Sequence, residues 1–239
     1  STILLLLVKE DAFIYVISIG MYFLSQKRFN LTSKTKQWLI LTEFLLPLLY
    51  FTLALLILST FGEGGMVSRF DAFLLKDENG ILAVFKNLVL HPSFAISHLF
   101  MAKKLGYLFL MLAPMCFLPL LQRNWSNYFL ALPLVVINLL PDWPYQYDIG
   151  FQYSYGSGAL LFIMALLALE DLKLHKHINE KMVISFIFVG MIFSGTILHR
   201  LTQSWSFNIG YYQQNKEKFE AIKYGLEILP EDASIVAEG

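Results

Sequence analysis

Charge is scarce in this chain. Lys, Arg, Asp and Glu make up 15% of 239 residues, 18 basic and 18 acidic, where soluble domains carry about 25%. The apolar fraction is 56%, more than a soluble domain of this length can hide in its interior. The formal net charge is zero, so no basic excess marks a nucleic-acid partner. Cysteine occurs once, at Cys116 within an apolar run, which excludes an intrachain disulfide and a cysteine-built metal site; it reads as a small buried or lipid-facing hydrophobe. The opening residues lack a basic stretch, and Lys9-Glu10-Asp11 breaks the first apolar run where a signal peptide would continue it. There is no phosphate loop, nucleophile elbow or His-Glu-x-x-His pair, and no internal repeat. His91 and His98 stand seven residues apart without an acidic companion at ligand spacing, so no metal site is read. No cofactor is implied, and the need for a divalent metal stays open.

What is present is a succession of apolar runs separated by short loops. The longest is Gln37 to Phe61, where Glu43 is the sole charge. A hydrocarbon layer about 30 Å thick needs roughly 20 apolar residues per helix, and in lipid the backbone must satisfy its own hydrogen bonds. The pattern predicts an all-α polytopic membrane protein with six spans, at roughly 3–25, 37–61, 105–121, 127–140, 155–169 and 182–198. The third to fifth are short for a full crossing and need tilt or shelter inside a bundle.

Basic residues crowd into alternate loops. Loops 26–36, 122–126 and 170–181 hold 8 Lys or Arg in 28 positions, including Lys27, Arg28, Lys34, Arg123 and Lys173. Segments 62–104, 141–154 and 199–239 hold 9 in 98. The positive-inside rule places the first set in the cytoplasm and the second set on the outer side of the membrane. Six crossings then put both ends of the sequence outside.

The segment 62–104 starts with a flexible Gly62-Glu63-Gly64-Gly65 and continues as an amphipathic stretch from Ile81 to Lys104 that Pro92 should split into short surface helices. Residues 1–198 read as the bundle. Residues 199–239 read as the start of a soluble α/β region, with an amphipathic helix over Lys216–Leu229, a turn at Pro230-Glu231-Asp232 and a strand at Ser234–Ala237. The abrupt apolar opening and the cut after this strand read as an internal stretch of a longer protein.

Three places carry candidate chemistry. Lys9-Glu10-Asp11 puts three charges into a membrane segment, at about 2.5–3.5 kcal/mol each for Lys or Asp at a helix centre. These residues either form a polar cavity, with Lys9 meeting an anion and an acid orienting it, or mark an interfacial helix boundary. His91 precedes Pro92 at a helix break, where it faces a ligand or serves only the local structure. The loop from Pro141 to Tyr155 is dense in aromatics, amides and carboxylates and has no Lys or Arg. Aromatics there serve as interface anchors or, with Tyr147, Asp148, Gln152 and Tyr153, as a sugar site in which rings stack on C–H faces and polar groups take hydroxyls. Gly156-Ser157-Gly158 after it suits close helix packing. Glu43 snorkels toward its helix end or pairs with Lys9.

Leu4-Leu5-Leu6-Leu7-Val8-Lys9-Glu10-Asp11-Ala12, His91-Pro92, Phe117-Leu118-Pro119-Leu120-Leu121, Asn138-Leu139-Leu140, the run Tyr145 to Tyr153, and Ile228 to Ile235 together resemble a family of prokaryotic polytopic membrane proteins of a domain-of-unknown-function class, grouped with the GT-C-fold glycosyltransferases. The resemblance covers the whole chain, as the middle and later part of the family's length. It implies a GT-C-like helical bundle with an outward site, a polyprenyl-phosphate sugar as donor, and an acidic general base in a first outer loop that would precede Ser1. No catalytic residue is therefore carried onto this chain. The resemblance marks Lys9, Glu10 and Asp11 for the donor phosphate, with Glu10 or Asp11 holding Lys9. It marks His91, Tyr147, Asp148, Gln152 and Tyr153 for sugar or acceptor. Two other readings stand beside the enzyme: a lipid or polysaccharide carrier of the same fold, and an assembly subunit.

Overall fold

A computed structural model of the chain describes residues 2–61, 68–76, 78–173, 180–203, 209–228 and 230. All regular structure among them is helical. The strand expected at 234–237 lies outside the described residues. The chain divides into two compact units, Ser1–Thr196 and Ile197–Gly239.

The first unit begins with α1 (Thr2–Leu6), a break over Leu7–Asp11, and α2 (Ala12–Ser25). The charged triplet therefore ends one helix and starts the next. α2 has 14 residues, about 21 Å at 1.5 Å per residue, so the expected span 3–25 is two shorter helices. The next apolar run is continuous. Thr32 caps α3 (Ser33–Ile40) by accepting the Thr35 N–H at 3.2 Å. A π-turn over Leu41–Leu45 then leads into α4 (Leu46–Phe61). The π-turn widens the helix at Glu43, whose Oε1 accepts from Thr2 Oγ1 at 2.9 Å and Thr42 Oγ1 at 3.1 Å. Glu43 is thus satisfied by hydroxyls rather than by Lys9. Gly20 of α2 lies against the same point, since a Cβ there would stand 2.6 Å from Glu43 Cβ.

The helix Ser33–Leu58 is long and apolar enough to cross a bilayer, and only 6% of its most apolar stretch is buried. A helix that greasy and that bare needs lipid around it. Ser154–Leu172 is the second such helix among the described residues, one-third buried. A third candidate is the pair Pro92–Leu99 and Ala102–Met115, bent by 59°. The described residues therefore give two spans, or three, where the hydropathy pattern predicts six.

The shortfall has local causes. The run 105–121 is helical as α7 (Ala102–Leu112), after α5 (Ile81–Leu90) and α6 (Pro92–Leu99). Pro114 and Pro119 then hold it in 3₁₀ turns, with left-handed backbone at Cys116 (φ 50°) and Phe117 (φ 58°). The run 127–140 is a 3₁₀ stretch, Trp125–Ala131, followed by a π-turn, Leu134–Leu139. The run 182–198 belongs to α9 (Glu180–Gln203), which follows α8 (Ser154–Lys173). Gly190 of α9 accommodates Cys116, whose Sγ would lie 2.1 Å from any Cβ at that position. Cys116 is buried there, as expected of a small hydrophobe.

The core gathers Tyr22 from α2, Tyr107, Met111 and Leu112 from α7, Leu130, Leu134 and Leu139, and Leu160, Leu161 and Met164 from α8. Ser18 pins α2 to the 3₁₀ stretch through the Phe129 carbonyl at 2.7 Å. At one end of this core residues 26–28, 124–127 and the last turn of α8 meet. Gln26 donates to Asn127 at 2.6 Å, Asn124 donates to Gln26 at 2.8 Å, and Arg28 lies 3.8 Å from Glu170. α2 and α8 both run toward this end, from Asp11 and Tyr153 at their starts to Gln26 and Glu170 at their finishes.

Pro92 divides the 81–104 stretch as its missing N–H requires, giving α5 and α6 with His91 at the junction. In the second unit, α10 (Ile209–Gln214) precedes α11 (Lys216–Ile228). α11 covers the amphipathic helix expected over Lys216–Leu229 as far as Ile228, with Ile222 and Leu226 both exposed.

Candidate functional site

The site is built around the break after α1. Helical turns close on either side of it, Leu7 N–H to Ile3 O at 3.1 Å and Ala12 N–H to Lys9 O at 3.1 Å. The three charges therefore lie on a turn between two helices rather than within one. Lys9 Nζ donates to Asp11 Oδ2 at 2.8 Å. The Asp11 side chain is 10% exposed and that of Lys9 is 31% exposed. Lys9 Nζ also stands 4.2 Å from the centre of the Tyr153 ring, an attraction of about 0.5–2 kcal/mol depending on desolvation.

Tyr153 is presented by the aromatic loop, and a residue without prior functional expectation holds that loop. Asn138 is fully buried in the π-turn. Its Nδ2 donates to the carbonyls of Gln146 at 2.7 Å and Tyr153 at 3.0 Å, while its Oδ1 accepts from Ser157 Oγ at 2.6 Å. One amide thus joins both ends of the loop to the first turn of α8. π-turns often mark functional positions because they redirect a side chain, and here the redirected side chain is the clamp.

Cations supply the rest. The loop has no Lys or Arg of its own, yet three come to it from elsewhere. Lys9 meets Tyr153. Arg69 lies 4.4 Å from the Trp143 ring and 5.6 Å from the Tyr153 ring. Lys104, fully buried, donates to the Leu139 carbonyl at 2.5 Å and faces the Tyr147 ring at 5.2 Å. Trp143 packs edge-on to Tyr145 and Tyr153, both at 5.3 Å.

A cavity of about 450 Å³ opens between α1, α2, the loop and α8. Lys9, Asp11, Gln152 and Tyr153 are among its polar lining, with Lys9 in contact with Asp11 and Tyr153. Leu5, Val8, Ala12, Ile19, Ile137, Ala159 and Leu160 form apolar walls. Gly156 brings α8 against Tyr15, since a Cβ at 156 would lie 2.5 Å from that ring. This is the close packing that small residues at the start of α8 suggest.

The remaining sequence-predicted residues lie elsewhere. Glu10 does not line this cavity; Asp11 is the acid that holds Lys9. Asp148 turns its carboxylate onto the Gly150 N–H at 2.8 Å, so it shapes the loop. Tyr147 packs against Lys104. His91 borders a separate cavity of about 300 Å³ with Ala72, Phe73, Asn87 and Phe94. Nearby, Glu78 is paired with Lys86 and accepts from Asn87 Nδ2 at 2.5 Å. These bonds pull its carboxyl down to about 2. Among the described residues no three His, Cys, Asp or Glu side chains stand close enough together to hold a metal ion.

Arg69, Lys104, Asn138 and Tyr15 are absent from the sequence-predicted set. The one available signal was the lack of any cation in a loop so rich in ring faces and acids.

Described residues whose regular structure is all helical, with long, bare apolar helices and a cavity whose greasy lining adjoins a charged pair, mark a membrane-associated protein. Residues 1–239 match the family described as predicted membrane protein (DUF2079), and the chain belongs to that family. No curated protein and no solved structure matches it.

Proposed function

We propose that the Lys9 cavity binds a polyprenyl-phosphate-linked sugar, and that the protein transfers this sugar, with inversion, to an acceptor on the extracytoplasmic face in the manner of GT-C enzymes. The observation that carries the reading is the cavity's lining: mostly apolar side chains suited to a prenyl chain, with the Lys9–Asp11 pair among them. Lys9 gives one N–H to Asp11, and an ammonium has three, so two remain for phosphate oxygens. In a low-dielectric site a fixed cation of this kind stabilises an anion strongly. Gln152 and Tyr153 lie beside it to meet sugar hydroxyls and C–H faces.

The same reading takes the six apolar runs as six crossings. It puts loops 62–104, 141–154 and the tail 199–239 outside the plasma membrane and the basic loops in the cytoplasm. The meeting of Gln26 and Arg28 with Asn124, Asn127 and Glu170, at the end of α2 and α8 remote from Lys9, supports that orientation. Residues 1–198 then act as the membrane bundle and 199–239 as the start of an extracytoplasmic region.

One observation favours a carrier instead. Asp11 is the single carboxylate lining the cavity, and Lys9 already holds it, which leaves no free base on that wall. The deciding experiment incubates the purified protein with polyprenyl-phosphate sugars and follows both binding and donor consumption. The enzyme reading expects both, and Lys9→Ala should lose about 10- to 100-fold in binding, the worth of a charge-assisted hydrogen bond. Binding without consumption supports the carrier. Unchanged binding by Lys9→Ala removes the proposed role of Lys9.

A further inference from the structure

We propose that Arg69 is a second anion-binding residue of the Lys9 site and that the headgroup selected there is a diphosphate rather than a monophosphate. This rests on the reading of the cavity as a lipid-phosphate site. Tyr153 is the shared element. It lines the cavity, and its ring carries Lys9 at 4.2 Å and Arg69 at 5.6 Å from the centroid. The two cations are therefore no further apart than those two distances together.

Their electrostatic situations differ. Lys9 and Asp11 form a pair that is neutral as a unit. Arg69 has no carboxylate within ion-pair distance among the described residues. Its Cζ sits over the Trp143 ring, 4.4 Å from the centre. The planar guanidinium carries its N–H donors as a fork that matches two phosphate oxygens. The residue is also held in place, because its carbonyl accepts the Asp142 N–H at 2.8 Å. A cation fixed before the ligand arrives loses little entropy on binding. One phosphate needs only the spare donors of Lys9. A second cation on the same ring is of use to a headgroup with a second phosphoryl group and more negative charge.

Equilibrium binding of a short-chain polyprenyl diphosphate and the matching monophosphate to the full chain tests this, in wild type, Arg69→Gln, Arg69→Lys and Lys9→Gln. Wild type should bind the diphosphate at least about tenfold more tightly, one charge-assisted contact's worth. Arg69→Gln should bring the diphosphate down to the monophosphate's affinity and leave the monophosphate unchanged, which also shows that the variant is folded. Arg69→Lys should restore part of the preference, and Lys9→Gln should weaken both ligands. Equal affinities in wild type, or equal weakening of both ligands by Arg69→Gln, would overturn the assignment to Arg69 and spare the lipid-phosphate reading. Failure of wild type to bind either ligand would overturn both.

Discussion

The residue with the widest structural influence is Asn138. It makes three hydrogen bonds from a site without solvent access. Asn138→Leu keeps the approximate volume and strands two carbonyls and a hydroxyl. At about 1–3 kcal/mol per unmet buried group, softened by relaxation, we expect a loss of about 3 kcal/mol. Thermal unfolding in detergent should show it, and quenching of Trp143 fluorescence should show the loop loosening. Glu78 gives a pH test. Lys86 and Asn87 hold its folded pKa at about 2, below the ordinary 4.5. A depressed acid stabilises the fold fully above its unfolded pKa, and that contribution disappears as pH falls from about 4.5 to about 2. Stability measured between pH 6 and 2 should therefore decline over that window in wild type and decline less in Glu78→Gln.

Among elements, α2 matters most, because it joins the Lys9 turn to the basic-loop end and packs on the π-turn of the longest helix. Gly20 is the contact point. Gly20→Ala would place a methyl 2.6 Å from Glu43 Cβ and 3.0 Å from the Phe44 ring, and Glu43 Cβ is fixed to its backbone. Overpacking of this kind costs about 1–3 kcal/mol. The midpoint of denaturation should fall accordingly, whereas Gly106→Ala, inside α7 with open space around it, should raise it, through a gain of about 0.4–1 kcal/mol. The elements also show what hydropathy can reveal. The run 37–61 is legible because one uninterrupted helix realises it. The split at His91-Pro92 is legible because proline lacks an N–H. The runs 105–121 and 127–140 are equally apolar, but Pro114, Pro119 and the left-handed Cys116 and Phe117 divide the first into short turns, and the second winds as 3₁₀ and π. An average over apolar residues does not register backbone winding. The Lys9–Asp11–Tyr153 cluster was partly legible, since charge inside an apolar run demands a partner. Arg69 and Lys104 were not, because they reach the loop from positions distant in sequence, and only the fold brings them there.

At the scale of the whole molecule, the account proposes a bundle with two chemically different ends. Lys9, Arg69 and the aromatic loop lie at one. Lys27, Arg28 and the buried amides Gln26 and Asn127 lie at the other, around a polar cavity of about 370 Å³. α8 connects them with 20 residues, about 30 Å of helix, which matches the hydrocarbon thickness. The central claim is that a membrane separates these ends, with the aromatic loop outside. Since Cys116 is the sole native cysteine, Cys116→Ala gives a clean background for two single-cysteine variants, Gly150→Cys in the loop and Lys34→Cys in the basic segment. Both positions are exposed. An impermeant maleimide applied to intact cells should label the Gly150→Cys variant, and should label the Lys34→Cys variant only after the cells are opened. Labelling of the Lys34→Cys variant in intact cells, with the Gly150→Cys variant protected, would contradict the orientation and remove the Lys9 site from the face where the proposed transfer occurs.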